Sequence, residues 1–160
     1  MMPSHWQWRD VEFADKDAVV FDIDGVLSDA TVRQHFIEGP RRDWTAFFAA
    51  CGDDPIIDEH VRLLELLDPS LVIILITGRP LRVQPQTLAW LKRYGLRWDL
   101  LIMREFGDYT DVSQFKRGAV EELRAKGFNI RLALEDDPKN QAMYEAEGIP
   151  CIYIHSGYYE

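Results

Sequence analysis

Asp22 and Asp24 stand two residues apart in Asp22-Ile23-Asp24-Gly25, directly after the apolar run Ala18 to Phe21. A carboxylate at the end of a buried strand can act as a nucleophile on phosphorus. A second one, carried on the following turn, can protonate the leaving oxygen and later activate water. The two roles need different protonation states. A nearby anion raises a carboxyl pKa and a metal lowers it. A metal on Asp22, with the Asp24 side chain outside its inner shell, would separate the roles. Gly25 permits the tight turn after the pair. Taken alone, the tetrapeptide also describes an ordinary turn or a calcium loop.

Three further groups could join that chemistry. In Thr77-Gly78-Arg79-Pro80, the Thr77 hydroxyl and neighbouring backbone N–H groups can bind phosphate oxygens; in isolation the segment also reads as a Gly-Pro turn. Lys116 could neutralise a phosphoryl group and the attacking carboxylate, or be a solvated surface lysine. Glu135-Asp136-Asp137-Pro138 packs three acids together, and only Arg131 and Lys139 are near in sequence to offset them. Hard cations seek such oxygen clusters, and magnesium takes one or two carboxylates plus waters. An acidic helix N-terminus would carry a similar pattern.

The elements that must position these residues are legible as alternating periods. Ala18–Asp22, Leu71–Thr77, Leu100–Met103, Ile130–Leu134 and Cys151–Ile154 read as five strands. Leu71–Thr77 is nearly continuously apolar, as in a parallel strand buried on both faces. Helices are expected over His60–Leu67, Gln86–Tyr94, Gln114–Lys126 (with Ser113 as N-cap and Gly127 as stop) and Asn140–Glu147. The alternation predicts an α/β fold, a three-layer sandwich around a mostly parallel five-stranded sheet. Asp22, Thr77 and the 135–137 acids all fall at strand C-terminal ends, where open α/β sheets bind ligands.

The order Asp-x-Asp, Thr, Lys, acidic group resembles the four motifs of the haloacid dehalogenase superfamily, over Ala18 to about Tyr153. The resemblance implies a Rossmann-like core, a phosphoaspartyl intermediate on Asp22, acid/base action by Asp24, and Mg²⁺. It places the metal on Asp22, the backbone carbonyl of Asp24 and Asp136, with Asp137 as a further ligand or supporting acid. Arg33, Arg79, Met103-Arg104-Glu105-Phe106-Gly107-Asp108, Lys116 and the Leu134–Asp137 stretch resemble more closely the 3′-phosphatase domain of bacteriophage polynucleotide kinase/phosphatase. That likeness implies that Arg33 and Arg79 assist phosphate binding, with Thr77 and Gly78 beside them. It also implies a phosphorylated nucleotide or nucleic-acid end as substrate, and functional pairing with a polynucleotide kinase or ligase. The chain departs from the pattern where Glu135 replaces the first Asp of the acidic pair. It departs again near Asp111, where Val112 stands in the place of an acid upstream of the lysine.

The 160-residue length suits one domain with a small cap insertion over about 28–55, too short for a large lid. That insertion holds Arg33, Arg41, Arg42, Trp44, Phe47 and Phe48, and Asp43–Phe48 reads as a short helix. Its aromatics either pack the cap onto the core or stack a base, and its arginines could bind phosphate. A small cap leaves the active site open, which in this superfamily suits bulky substrates or polymer ends.

The net charge of −9 argues against a surface that coats nucleic acid. No apolar run is long enough to span a bilayer, and no secretory signal is read at the N-terminus. Cys51 and Cys151 are the only cysteines, which fits unpaired thiols in a reducing cytoplasm. His35, His60 and His155 share no metal-ligand spacing. Trp6 and Trp8 are expected over a sheet edge and Trp90 in the core, while Tyr158-Tyr159 carries no readable signal.

Alternative functions are a nucleotidase or general small-molecule phosphatase, a phosphoacceptor signalling domain, and a catalytically inactive binding module. Signalling receivers carry their acidic pair before the phosphorylated Asp, the reverse of the order here. Asp24 would also hasten acyl-phosphate hydrolysis. Four chemically competent motif positions count against an inactive module.

Overall fold

A computed structural model describes residues 2–10, 12–13 and 16–159. Its strands are β1 Gln7–Trp8, β2 Asp17–Phe21, β3 Val72–Pro80, β4 Leu100–Arg104, β5 Asn129–Glu135 and β6 Cys151–Tyr153. They form one sheet in the order β1-β4-β3-β2-β5-β6, parallel except where β1 runs antiparallel to β4. The helices are α1 Trp44–Ala49, α2 Asp58–Leu66, α3 Gln84–Arg93, α4 Val112–Ala125 and α5 Pro138–Ala146.

Side chains of a strand alternate between faces, so each sheet face builds its own core. Val19, Phe21 and Leu75 pack with Val61 and Leu64 of α2 and with Trp90 and Leu91 of α3. Ala18, Val20 and Ile74 pack with Val120 and Leu123 of α4 and Met143 and Tyr144 of α5. The result is the three-layer α/β sandwich expected from the sequence.

Among the described residues the sheet has six strands, not five. β1 is only two residues long and is defined by pairing to the β4 edge, so no sequence period announces it. It carries Trp8, while neighbouring Trp6 is buried against the β4 face. β3 also runs on past Thr77, with an irregularity between Ile76 and Pro80. Thr77-Gly78-Arg79-Pro80 is therefore a kinked strand end and not a Gly-Pro turn.

Helix starts shift toward acids. Asp111, and not Ser113, caps α4 by accepting from Ser113 N at 3.0 Å. Asp137 caps α5 through Lys139 N at 2.9 Å, and Asp43 caps α1 through Ala46 N at 2.9 Å. Gly127 and Gly148, past the ends of α4 and α5, take φ of +93° and +75°, as stopping glycines do. Among the described residues, no helix is long and apolar enough to cross a membrane.

Candidate active site

β2 continues its ladder beyond Phe21, because Asp22 N donates to Leu134 O at 3.1 Å. That bond carries Asp22 beside the end of β5 and its acids. Asp22 is buried, and its Oδ1 accepts from Ile23 N at 2.8 Å. Lys116, on the second turn of α4 and also buried, reaches Asp22 Oδ1 at 3.1 Å and Glu135 Oε2 at 2.7 Å. Burial alone would lower the Lys116 pKa. Asp22 and Glu135 outweigh that and raise it, so the ammonium stays charged.

Glu135 spends its other oxygen on the Asp136 and Asp137 N–H groups, at 3.2 and 3.3 Å. Asp136 is left over. It is fully buried, and neither carboxylate oxygen has a partner at hydrogen-bonding geometry among the described residues. Burial, and then the charge of its neighbour, pushes Asp22 and Asp136 each up to about 8. For Asp22 that neighbour is Glu135, and for Asp136 it is Asp22.

Carboxylate oxygens of Asp22, Glu135 and Asp136 all lie within 4.8 Å of one another. Three buried acids share one lysine, and one of them is orphaned. That arrangement fits a divalent cation held through Asp22 and Asp136. The close approach of Gly25 fits as well. An added Cβ there would lie 2.0 Å from Asp136 Oδ2, so only glycine lets the turn pass the cluster.

Asp24 sits in the opposite environment. Arg79 donates through Nη2 to Asp24 Oδ1 at 2.7 Å, and Arg33 Nη2 reaches the same oxygen at 2.7 Å. Burial works to raise the Asp24 carboxyl, but Arg79 and then Arg33 overcome it and hold it at about 2. Both arginines are fully buried. Arg33 is also gripped by Asp54, with Nε to Oδ1 at 2.8 Å and Nη2 to Oδ2 at 2.5 Å, and it donates to Phe47 O at 3.0 Å. Ser28 Oγ donates to Asp54 at 2.5 Å, and Arg79 bonds Thr87 Oγ1 at 3.1 Å. Arg33 and Arg79 thus first form a frame around Asp24. Asp54 and Ser28 complete that frame and escaped sequence reading, because a buried Asp is recognised only by what faces it.

The other expected site residues divide. Thr77 and Gly78 line the same cleft as Asp22 and Asp24. Thr77 Oγ1 accepts from Arg79 N at 3.1 Å. Asp137 lines the cleft too, but it stands outside the three-acid cluster and caps α5. Arg42 lines the cleft and Arg41 is not among its lining residues. Phe47 is buried and Phe48 is partly buried against the core, while Trp44 stays exposed. His60 bonds Val26 O at 2.6 Å, an ordinary structural contact.

The cleft encloses about 900 Å³. Its floor holds Asp22, Asp24, Thr77 and Lys116. Its rim is built by α1, by the loop 105–110 after β4, and by Tyr158 and Tyr159. The tail whose sequence carried no signal therefore reaches the site, which only the folded chain could reveal.

One family model matches nearly the whole chain. Residues 16–159 match the family model described as the polynucleotide kinase PNKP phosphatase domain. The solved Pnkp1/Rnl/Hen1 RNA repair complex contains a similar chain, with TM-score 0.72 and 25% identity, over 96% of this chain and 47% of that one. A class C acid phosphatase from Bacillus anthracis, solved with tungstate bound, shares the fold with TM-score 0.66 and 16% identity, over 94% and 70% of the two chains. The stem 28 kDa glycoprotein of Glycine max is 32% identical over 130 residues, 76% of this chain and 51% of that protein. The chain thus spans about half the length of the curated relatives it matches. By sequence and by fold, it belongs to the polynucleotide kinase PNKP phosphatase domain family, among the haloacid dehalogenase-type phosphatases.

Proposed function

We propose that the chain hydrolyses phosphomonoesters with Asp22 as nucleophile, Asp24 as acid/base and Mg²⁺ as cofactor, and that it removes the 3′-phosphate of nucleic-acid ends or nucleotides. One observation carries the reading: a single turn holds two aspartates in opposite surroundings, Asp22 beside Lys116 and the acid cluster and Asp24 between two arginines. A site of this kind keeps a nucleophile and a proton carrier apart.

Asp22 and Asp136 would hold the metal through carboxylate oxygens, with the Asp24 backbone carbonyl alongside. When bound, Mg²⁺ neutralises the acid cluster and draws charge from the phosphoryl oxygens. The Asp22 carboxylate attacks phosphorus, and the P–O bond to the leaving alcohol breaks. Lys116 steadies the attacking oxygen, and Thr77 with the neighbouring N–H groups binds the phosphoryl group. Asp24 is ionised between Arg33 and Arg79 and takes up a proton as the phosphoryl anion arrives beside it. It gives that proton to the leaving oxygen. It then removes a proton from water, which attacks phosphorus and releases Asp22 and inorganic phosphate.

The polynucleotide-end substrate is supported by the matched family and by the similar chain in an RNA repair complex, which also favours pairing with a kinase or ligase. The cap segment 28–55 contributes Arg42, Trp44 and Phe47 to the cleft lining and so takes part in substrate selection. Asp22→Asn should fold normally and lose phosphatase activity by more than about 10³-fold, of the order expected when a covalent nucleophile is removed. Assays pair a 3′-phosphorylated oligonucleotide with free nucleoside monophosphates. Retained turnover in the variant refutes the mechanism. Turnover of mononucleotides alone refutes the polynucleotide reading.

A further inference from the structure

Six Phe, Tyr and Trp side chains are exposed among the described residues, and four of them, Trp44, Phe106, Tyr109 and Tyr159, line the active-site cleft. Phe106 and Tyr109 are 80% and 94% exposed. Leaving large rings in water forgoes their burial energy, so their concentration at one mouth points to a ligand.

The loop that presents them is internally braced. Glu105 O accepts from Asp108 N at 3.3 Å, and Gly107 takes φ of +78°, which makes a tight turn with Phe106 at its tip. Asp108 Oδ1 accepts from Thr110 N at 3.0 Å and from Thr110 Oγ1 at 2.6 Å. Arg104 donates to the Asp108 and Thr110 carbonyls from within. Polar groups close the loop, and the rings are turned outward.

Charge at the same cleft is not that of a polymer track. Arg79 and Lys116 are committed to carboxylates, and Arg104 to the loop backbone. Among the described residues, the only other cleft cations are Arg42 and Arg82, while Glu38, Glu105, Asp108 and Asp137 line it as well. A groove that followed a phosphate backbone would be basic.

We propose that the loop 105–110, with Trp44, stacks the terminal nucleoside of the phosphorylated strand, and that recognition stops there: the site reads the end of the strand and not its length. This rests on the phosphatase reading above.

The test measures kcat/KM for glycerol 2-phosphate and for 3′-phosphorylated single strands of one, two, six and twenty nucleotides. A strand whose last residue is abasic serves as the control. Efficiency should rise from glycerol 2-phosphate to the mononucleotide and then stay flat with length within about threefold. Between 50 and 200 mM salt it should change by less than about tenfold, against the roughly 10³ or more of a protein making many phosphate contacts. The abasic end should fall well below the normal one. Phe106→Ala/Tyr109→Ala should cut the nucleotide-to-glycerol-phosphate ratio about tenfold or more, as loss of one stacked base implies. Continued gain with length, a steep salt slope, or an unchanged ratio in the variant overturns the inference while leaving the phosphatase reading intact. A wild type inactive on glycerol phosphate and nucleotides alike defeats the phosphatase reading itself and this inference with it.

Discussion

Gly25 and Asp54 show how narrowly single residues are specified around the two aspartates. Gly25 has φ of +81° and lies where a Cβ would overlap the buried Asp136 carboxylate. Gly25→Ala should cost about 1–2 kcal/mol from the left-handed backbone alone, and more from the displaced carboxylate. Chemical denaturation reads the loss, and phosphatase activity should fall with it. Asp54 is the second acid against Arg33 and Arg79, reached by the same Nη2 atoms that bond Asp24. Asp54→Asn keeps the shape and removes the charge, so two guanidinium groups depend on Asp24 alone. The expected destabilisation is about 3 kcal/mol, the scale for breaking a buried ion pair. A variant as stable as wild type would mean that Asp24 suffices to balance both arginines. Gly25 was legible from sequence as a turn glycine. Asp54 was not, because its role exists only once β2 and β3 bring Ser28, Arg33 and Arg79 together.

At the scale of elements, α4 carries Lys116 to the strand ends, and its N-terminus is fixed by Asp111. Hydrogen bonds from Ser113 hold the Asp111 carboxyl below the usual carboxylate range. A lowered folded-state pKa contributes stability that is full above about pH 4, the unfolded value, and fades as pH falls through the folded one. Asp111→Ala should therefore cost about 1 kcal/mol near neutrality, with the gap to wild type closing toward pH 2 in thermal melts. Asp111→Asn, still a good cap, should retain most of the stability across that range. A gap that persists at low pH would assign the effect to something other than the ionised cap. The expected helix lay within two residues of α4 at both ends. The cap was placed two residues late, since Ser113 and Asp111 are both good cap residues and local sequence does not decide between them.

Across the whole molecule, two apolar cores clamp a parallel sheet whose strand ends gather like charges that the fold itself leaves unneutralised. A cation bound there should stabilise the folded chain by mass action, by about 2.7 kcal/mol at a hundredfold excess over Kd. Millimolar Mg²⁺ should thus raise the thermal midpoint by roughly 5–10 °C, and a chelator should reverse the shift and silence activity. Asp136→Asn should melt higher than wild type without metal, because the repulsion with Asp22 is relieved, and should lose the Mg²⁺ response. An equal response in the variant would place the metal elsewhere.

The α/β sandwich and the chain order of Asp22, Asp24, Thr77, Lys116 and Asp136 can be read along the chain, because apolar periods and strand-end positions are local properties. The tertiary structure alone decided that β1 joins the sheet edge and that Arg33 and Arg79 face Asp24 and not open solvent. It also decided that Phe106, Tyr109 and Tyr159 surround one cleft. Those outcomes depend on which distant segments meet, and the energy of an ion pair or an exposed ring is fixed by its neighbours in space.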